Sequence, residues 1–266
     1  MSPRKTTKAA AGKPVTGTSM ASNLDTSVTT LAGQIERKRF ERVNQEFYEG
    51  LAALEKLDIP MRDLVCFFPI YVGHVGIAKL LFFYELYKKC QDLSGHIADI
   101  GTWKGSSFFT FAKLVRIFEP HGYSQVHGFD WFQGMDPDPA LDNMENKGTC
   151  TCTFEDVDGM IECQGLRDVA ILHQLDLATG LPDFFRKFPH IRFKMVFIDC
   201  GIAHVIERCL EHFWPRLLTG GVMIMDHYNS DQSPSESALV DKYVGANRIM
   251  QVNFNRQPSA YVVKQA

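Results

Sequence analysis

The sequence has no run of about 18 apolar residues, the length a membrane-spanning helix needs. Its apolar stretch from Ile77 to Leu86 is broken by Lys79 and Glu85, which suits a packed helix better than a lipid-facing one. It has no excess of positive charge. With 28 Lys and Arg against 31 Asp and Glu, the formal net charge is −3, which gives no case for a nucleic-acid surface. It has no C-x-x-C pair. The 7 cysteines (Cys66, Cys90, Cys150, Cys152, Cys163, Cys200 and Cys209) are odd in number. Cys150, Cys152 and Cys163 lie close together but lack a second half-site, so a zinc module is not expected. No secretory signal is read, so free thiols in a reducing, cytoplasmic setting are the expectation.

What is present is core-forming material: 266 residues, 45% hydrophobic, with 20 Phe. That is enough for one α/β domain with terminal extensions. Residues 1–33 read as a disordered tail. Arg4, Lys5, Lys8 and Lys13 precede the first acid, Asp25, and small or polar residues fill the rest. The Arg-rich amphipathic stripe of an organellar targeting peptide is missing. Residues 34–95 read as a helical segment, with a charged helix over 34–57 and a second after Pro69 that ends before Ser94-Gly95.

Residues 96–266 alternate between short apolar runs and helical patterns. Strands are expected at Ile97–Ile100, Gln125–Phe129, Val169–Leu175, Phe193–Ile198 and Val222–Met225, with helices at Ser106–Phe118 and Val205–Leu217. Thr219-Gly220-Gly221 reads as the stop of the second helix. A polar, Asp/Pro/Gly-rich stretch from Gly134 to Thr153 reads as a long surface loop. Such alternation implies a mostly parallel sheet with helices on both faces. The last two strand-like runs, Ile249–Phe254 and Ala260–Val263, are joined too tightly to be parallel and so form an antiparallel hairpin.

The segment Asp99-Ile-Gly-Thr-Trp-Lys-Gly105 follows a buried strand and opens a helix, the place where doubly wound sheets bind ligands. Gly101 permits a tight turn, and Gly105 would let the backbone approach a ligand closely. Trp103 stands where a dinucleotide fingerprint needs its second glycine, which disfavours NAD and FAD. A carboxylate at Asp99 suits the ammonium of a bound amino-acid moiety, and Asp130, ending the next strand, could accept both ribose hydroxyls. Asp176, after the third strand, could reach an adenine edge or cap a helix. Ser106, which opens the helix, and Trp131, which follows Asp130, complete the candidate cofactor-binding set.

Several motifs carry a family resemblance. Phe68-Pro-Ile-Tyr-Val72, Tyr84-Glu-Leu-Tyr87, Ile97-Ala-Asp-Ile-Gly101, Gly128-Phe-Asp130, Phe197-Ile-Asp199, His212-Phe-Trp-Pro-Arg216 and Gly220-Gly-Val-Met-Ile-Met-Asp226 occur in order over residues 60–264. In these the chain resembles the macrocin O-methyltransferase family and its sugar-methylating relatives among class I S-adenosylmethionine-dependent methyltransferases. The resemblance implies a Rossmann-like seven-stranded sheet, S-adenosylmethionine as cofactor and methylation of a hydroxyl on a sugar or other small metabolite. It also implies Mg²⁺ held by acids after strands four and five.

The chain departs from that pattern where the metal would sit. The family's Ile-Asp-x-Asp-x-Tyr becomes Ile198-Asp-Cys-Gly-Ile-Ala203, and the second acid after strand five becomes His227. Asp199, Asp226 and His227 remain a ligand set for a divalent metal, Mg²⁺ or a softer ion. The alternative is metal-free catalysis with His227 or His204 as general base. Two functions follow: an O-methyltransferase, or a cofactor-binding scaffold on the same fold with altered catalysis. The expected partner is a small molecule, with neither nucleic acid nor membrane, and homo-oligomer formation is left open.

Overall fold

The computed structural model describes residues 28–31, 34–230, 233–255, 257–258 and 260–266. Most of the tail expected over 1–33 therefore lies outside the described residues. The chain divides into two compact units, residues 1–63 and 64–266. In the first, β1 (Val28–Leu31) pairs antiparallel with β2 (Gln34–Arg37), and α1 (Lys38–Leu54) follows. The charged helix thus starts at Lys38 rather than at residue 34, because the four preceding residues are taken up by strand pairing.

After α2 (Met61–Cys66) and the short turn α3 (Phe68–Tyr71), α4 (His74–Cys90) leads into a seven-stranded sheet. In chain order come β3 (His96–Ile100), α5 (Ser106–Phe118), β4 (Val126–Asp130), α6 (Phe154–Cys163), β5 (Ala170–Gln174) and α7 (Leu177–Lys187). Then follow β6 (Phe193–Ile198), α8 (Ala203–Phe213), β7 (Leu217–Met225), α9 (Glu236–Val244), β8 (Ile249–Met250) and β9 (Ala260–Val263). The sheet order is β5-β4-β3-β6-β7-β9-β8. β5 through β7 pair in parallel, whereas β9 pairs antiparallel with both β7 and β8. This is the expected mostly parallel sheet with its C-terminal antiparallel hairpin, except that the strand expected over Ile249–Phe254 is only Ile249–Met250, and β9 inserts between it and β7.

Side-chain alternation along the strands builds two cores. Ile97, Met195, Phe197, Val222 and Ile224 pack with α4 and α5 on one face. Ala98, Ile100, Val196, Ile198, Met223 and Met225 pack with α7, α8 and α9 on the other. Phe83 of α4 meets Phe111 of α5 and Phe197 of β6 edge to face, at 4.8 and 5.3 Å between ring centres. Each such fully buried ring is worth about 1.5–3 kcal/mol in transfer free energy, so this trio pins both helices to the sheet.

Two local readings change. The helix expected to reach Leu217 ends at Phe213, because Pro215 lacks the N–H that a helix interior requires; Trp214–Arg216 becomes a single 3₁₀ turn. Thr219-Gly220-Gly221 then lies inside β7, at a register shift against β6, and does not stop a helix. One strand residue departs from the apolar pattern. Lys194 of β6 is fully buried, and its Nζ donates to Glu119 Oε1 (2.5 Å), Ser124 Oγ (2.9 Å) and the Gln91 carbonyl (3.2 Å). The Tyr87 hydroxyl donates to the same Glu119 oxygen at 2.5 Å.

Candidate active site

Strand register brings the predicted residues together. Ile100 of β3 pairs with Phe129 of β4 and with Ile198 of β6, and Ile198 pairs with Met225 of β7. The residues that follow these partners, Gly101, Asp130, Asp199 and Asp226, therefore emerge side by side at the carboxyl edge. This edge is where the chain order reverses direction across the sheet, the usual ligand crevice of such folds.

At the β3 end the turn is tight for a definable reason. Gly101 has φ +83°, and a Cβ there would lie 2.0 Å from the Asp199 carbonyl oxygen. A side chain is excluded twice over, by conformation and by space. Gly105 also has a positive φ, but the space its missing Cβ leaves is taken by the Phe109 ring.

Asp99 is buried, and neither carboxylate oxygen meets a donor at full hydrogen-bond geometry, although the Ser107 and Thr102 hydroxyls lie close by. Burial pushes its carboxyl up to about 6, an effect that the Ser107 and Thr102 hydroxyls only partly offset. A buried carboxylate without a full hydrogen bond is the anion that a ligand ammonium would neutralise. Ser106 is exposed, whereas Ser107, one residue on, is buried against Asp99. Asp130 accepts the backbone N–H groups of Trp103 and Phe132, each at 2.7 Å, and so holds the β3 and β4 turns together. Burial raises its carboxyl while those N–H groups lower it. Its oxygens retain lone pairs for further donors. Trp131 donates from Nε1 to the Gly134 carbonyl at 2.6 Å. Asp176 is the N-cap of α7, accepting Ala178 N–H at 2.9 Å and Thr179 Oγ1 at 2.7 Å. Of the two roles open to it in the sequence, the cap is the one formed.

At the β6 and β7 ends, Asp199, Asp226 and His227 each offer a ligand atom, all within 4.8 Å of one another. Among the described residues this is the grouping of His, Cys, Asp and Glu that could hold a metal; Cys150, Cys152 and Cys163 form none. Burial and the neighbouring Asp226 carboxylate hold Asp199 well above the usual carboxylate range, with Lys79 of α4 partly opposing them. One Asp226 oxygen, Oδ1, is buried without a partner. Gln257 donates from its amide to Asp226 Oδ2, and the same nitrogen lies 3.1 Å from His227 Nε2. Behind His227 sits Glu236, fully buried, which accepts the His227 backbone N–H at 3.0 Å. Burial pushes the Glu236 carboxyl up to about 8. His204 is exposed on the first turn of α8 and is not part of the cluster.

Glu236, Gln257, Lys79 and Ser107 escaped the sequence reading. Glu236 opens a helix that the sequence did not announce, and Gln257 comes from a turn some 30 residues beyond Asp226. Neither spacing repeats a motif.

The loop from Gly134 to Thr153 lies against this crevice. Trp103 Nε1 donates to the Thr151 carbonyl at 3.2 Å, and the Asp199 and Asp130 carboxylates both raise the Cys150 thiol beyond the effect of burial. Asp142 anchors the loop: it accepts Ala203 N–H (3.0 and 3.2 Å), Asp138 N–H (2.9 Å) and Ser235 Oγ (3.3 Å). It thereby caps α8, whose own N-cap residue, Ile202, has no side chain able to do so. Asp142→Ala should cost about 0.5–2 kcal/mol, as loss of an N-cap does. Hydrogen exchange should report it as faster exchange in residues 134–153 and in the first turn of α8, with the sheet unchanged.

Comparison with known proteins agrees with this geometry. Residues 98–228 match the family described as "Methyltransferase domain". The 8-demethyl-8-(2,3-dimethoxy-α-L-rhamnosyl)-tetracenomycin-C 4'-O-methyltransferase of Streptomyces olivaceus is 27% identical over 152 residues, covering 52% of this chain and 54% of that protein. The chain thus spans about half the length of this curated relative. In structure it is similar to the calicheamicin methyltransferase CalS11, with a TM-score of 0.72, 20% identity, and 86% and 93% of the two chains covered. It is also similar to the O-methyltransferase NovP, with a TM-score of 0.59, 17% identity, and 74% and 84% covered. No helix among the described residues is long and apolar enough to cross a membrane. Residues 98–228 thus match a methyltransferase domain, on a mostly parallel seven-stranded sheet similar to that of solved methyltransferases.

Proposed function

We propose that the protein is an S-adenosylmethionine-dependent O-methyltransferase acting on a hydroxyl of a sugar or another small metabolite. The observation that carries this reading is the pairing of two half-sites in one crevice. One is the Asp99–Asp130 end, suited to an amino acid and a ribose. The other is the Asp199–Asp226–His227 end, suited to an acceptor. The tetracenomycin relative is named for methylating a sugar, which supports the acceptor class. We keep residues 96–266 as the cofactor-binding domain, preceded by a largely helical segment over 34–95 whose last helix, α4, packs on the sheet. A net charge of −3 and cysteines free of disulfides fit a small-molecule enzyme of the cytoplasm.

S-adenosylmethionine supplies a methyl group on a sulfonium, a donor reactive enough that the protein has only to bind, align and deprotonate. Asp99, with neither oxygen fully hydrogen-bonded, would hold the amino-acid ammonium, and Asp130 would accept the ribose hydroxyls. Asp199 and Asp226 would receive the acceptor hydroxyl and its proton. The same pair, with the orphaned Asp226 Oδ1 and a ring nitrogen of His227, fits a divalent cation, which would orient the hydroxyl and lower its pKa. His227 as a metal-free base is the second reading, and its place within the cluster keeps it open.

Calorimetry tests the donor half. S-adenosylmethionine or S-adenosylhomocysteine should bind and NAD should not. Asp130→Ala should weaken binding by about 1–3 kcal/mol, the worth of charge-assisted hydrogen bonds to the ribose. Release of S-adenosylhomocysteine in the presence of sugar acceptors tests the acceptor half. Tight cofactor binding with no turnover on any acceptor would favour the scaffold alternative.

A further inference from the structure

His127 of β4 and His173 of β5 are joined ring to ring. His127 Nδ1 lies 2.9 Å from His173 Nε2, and the two rings are nearly parallel, 5° apart. β5 is the edge of the sheet and, among the described residues, pairs only with β4, so this bond ties the edge to its one neighbour. Aromatic side chains enclose the pair. Phe129 stacks on His173 at 4.7 Å, Phe184 of α7 meets that ring edge-on at 5.0 Å, and Phe193 of β6 stands edge-on to His127 at 6.4 Å. His127 is buried, and its other nitrogen, Nε2, has no partner.

A bond between two ring nitrogens needs one donor and one acceptor. With its proton on Nδ1, His127 donates to His173 Nε2, and its own orphaned Nε2 is a bare lone pair. A further proton on His127 must go to that Nε2, where it makes a buried N–H without an acceptor, on a charged ring. A further proton on His173 must go to its Nε2, which then has to donate to His127 Nδ1 and drives the His127 proton to the same orphaned place. Every protonated form of the closed pair therefore strands an N–H in the core.

The surroundings supply no counter-charge. β3 presents His96, whose Nδ1 accepts the Gln125 N–H at 3.2 Å, and farther out are His190, before β6, and Lys194, which is engaged with Glu119. α8 brings Phe213 against Phe129, while its His212 stacks on Phe185. α7 carries Asp183, already paired with Arg186 at 2.8 Å, and Lys187, over the Phe188 ring at 5.3 Å. Both line a cavity of about 560 Å³ together with His173 and Phe154 of α6, and this cavity gives water a path to the pair. Burial, then the neighbouring His173 and His96, push His127 down to about 3, and burial pushes His173 down to about 4.

We propose that the His127–His173 pair is an acid-operated clasp: while both rings are neutral it holds edge strand β5 and α7 against β4, and in mild acid it opens and lets that edge detach before the rest of the sheet. The inference goes beyond methyl transfer and stands independently of it. In the unfolded chain, histidines near 6.5 take up the protons that the closed pair refuses. Stability from the clasp is therefore fully present above that value and is lost as pH falls below it, each ring weakening the folding equilibrium about 10-fold between pH 7.5 and 5.5. The carboxyls of Asp99, Asp199 and Glu236, raised by burial, act in the opposite sense, so the pair is isolated by comparing variants.

Urea unfolding of the full chain at pH 7.5 and 5.5, for wild type, His173→Gln and His127→Asn, tests the clasp. Glutamine places its amide near the Nε2 position and asparagine near Nδ1, so each can keep the bond to the remaining ring, and neither takes a proton in this range. Between the two pH values each variant should lose about 10-fold less of its folding constant than wild type. Hydrogen exchange of wild type, corrected for the intrinsic effect of pH, should quicken at pH 5.5 in β5 and α7 and hold in β6 and β7. Equal pH dependence in wild type and both variants overturns the proposal, and so does exchange that quickens across the whole sheet together. If the variants fail to fold, ¹⁵N-histidine NMR of wild type decides. Rings that stay neutral to below about pH 5 support the clasp, and rings that titrate near 6.5 in the folded chain overturn it.

Discussion

Asp226→Asn is expected to lower turnover by about 10²- to 10⁴-fold, the usual contribution of a positioned acid or base, while leaving S-adenosylmethionine affinity unchanged. The proposed donor and acceptor ends of the crevice are built on different strands, Asp99 and Asp130 on β3 and β4, Asp226 at the end of β7. Asparagine keeps an oxygen for the Gln257 amide and removes one of two mutually repelling charges, so thermal stability should hold or rise. Steady-state kinetics, calorimetry and thermal unfolding of the one variant read all three effects. Chelation and His227→Ala then separate the mechanisms. A metal-assisted enzyme loses activity to chelator, whereas a histidine base is indifferent to chelator and fails in His227→Ala. Full activity in chelator and in both variants would reject the assignment of Asp226 and His227 to the chemistry.

The second large effect is on stability and lies away from the crevice. Glu119→Leu should destabilise the protein by about 3–5 kcal/mol, because it strands the buried Lys194 ammonium with only Ser124 and a carbonyl as partners. Against a typical total of about 5–15 kcal/mol this is a large fraction, and for a chain of this size it corresponds to a fall in melting temperature of roughly 10 °C. Tyr87 also loses the acceptor of its hydroxyl. Replacing both charged partners, as Glu119→Leu with Lys194→Met, should recover much of the loss, since it is the uncompensated charge that costs most. Urea unfolding of the two single variants and the double variant measures this coupling. Additive losses would mean that the pair is not energetically linked.

How far the sequence could be read differs from element to element. The strands at 97–100, 193–198 and 222–225 were legible because, Asp99 and Lys194 apart, their residues are apolar on both faces and bounded by Gly, Asp or Pro. The helix over 203–213 was legible in type, but its end was not, because Thr219-Gly220-Gly221 looks like a stop signal and Pro215 was the real one. The cap of α7 at Asp176 was one of two roles read from the sequence, whereas the cap of the short α6 at Thr153 is visible there only as one Thr among many.

Local chemistry in the chain determined the order of strands and helices, the tight corner at Gly101 and the acids that end four neighbouring strands. These are properties of residues near one another in sequence, set by hydrophobic period, backbone conformation and strand length. Only the tertiary structure decided which of the acids would be orphaned and which engaged. Asp176 was taken by a cap, Asp130 by two backbone N–H groups, and Asp99 was left buried without a full hydrogen bond. It also decided the surroundings of His227, where Glu236 and Gln257 arrive from a later helix and a later turn. The physical reason is that hydrogen bonding and desolvation depend on which atoms meet at distances of a few ångströms. Those meetings are made by sheet register and by chain segments far apart in sequence, so no window of neighbouring residues contains them.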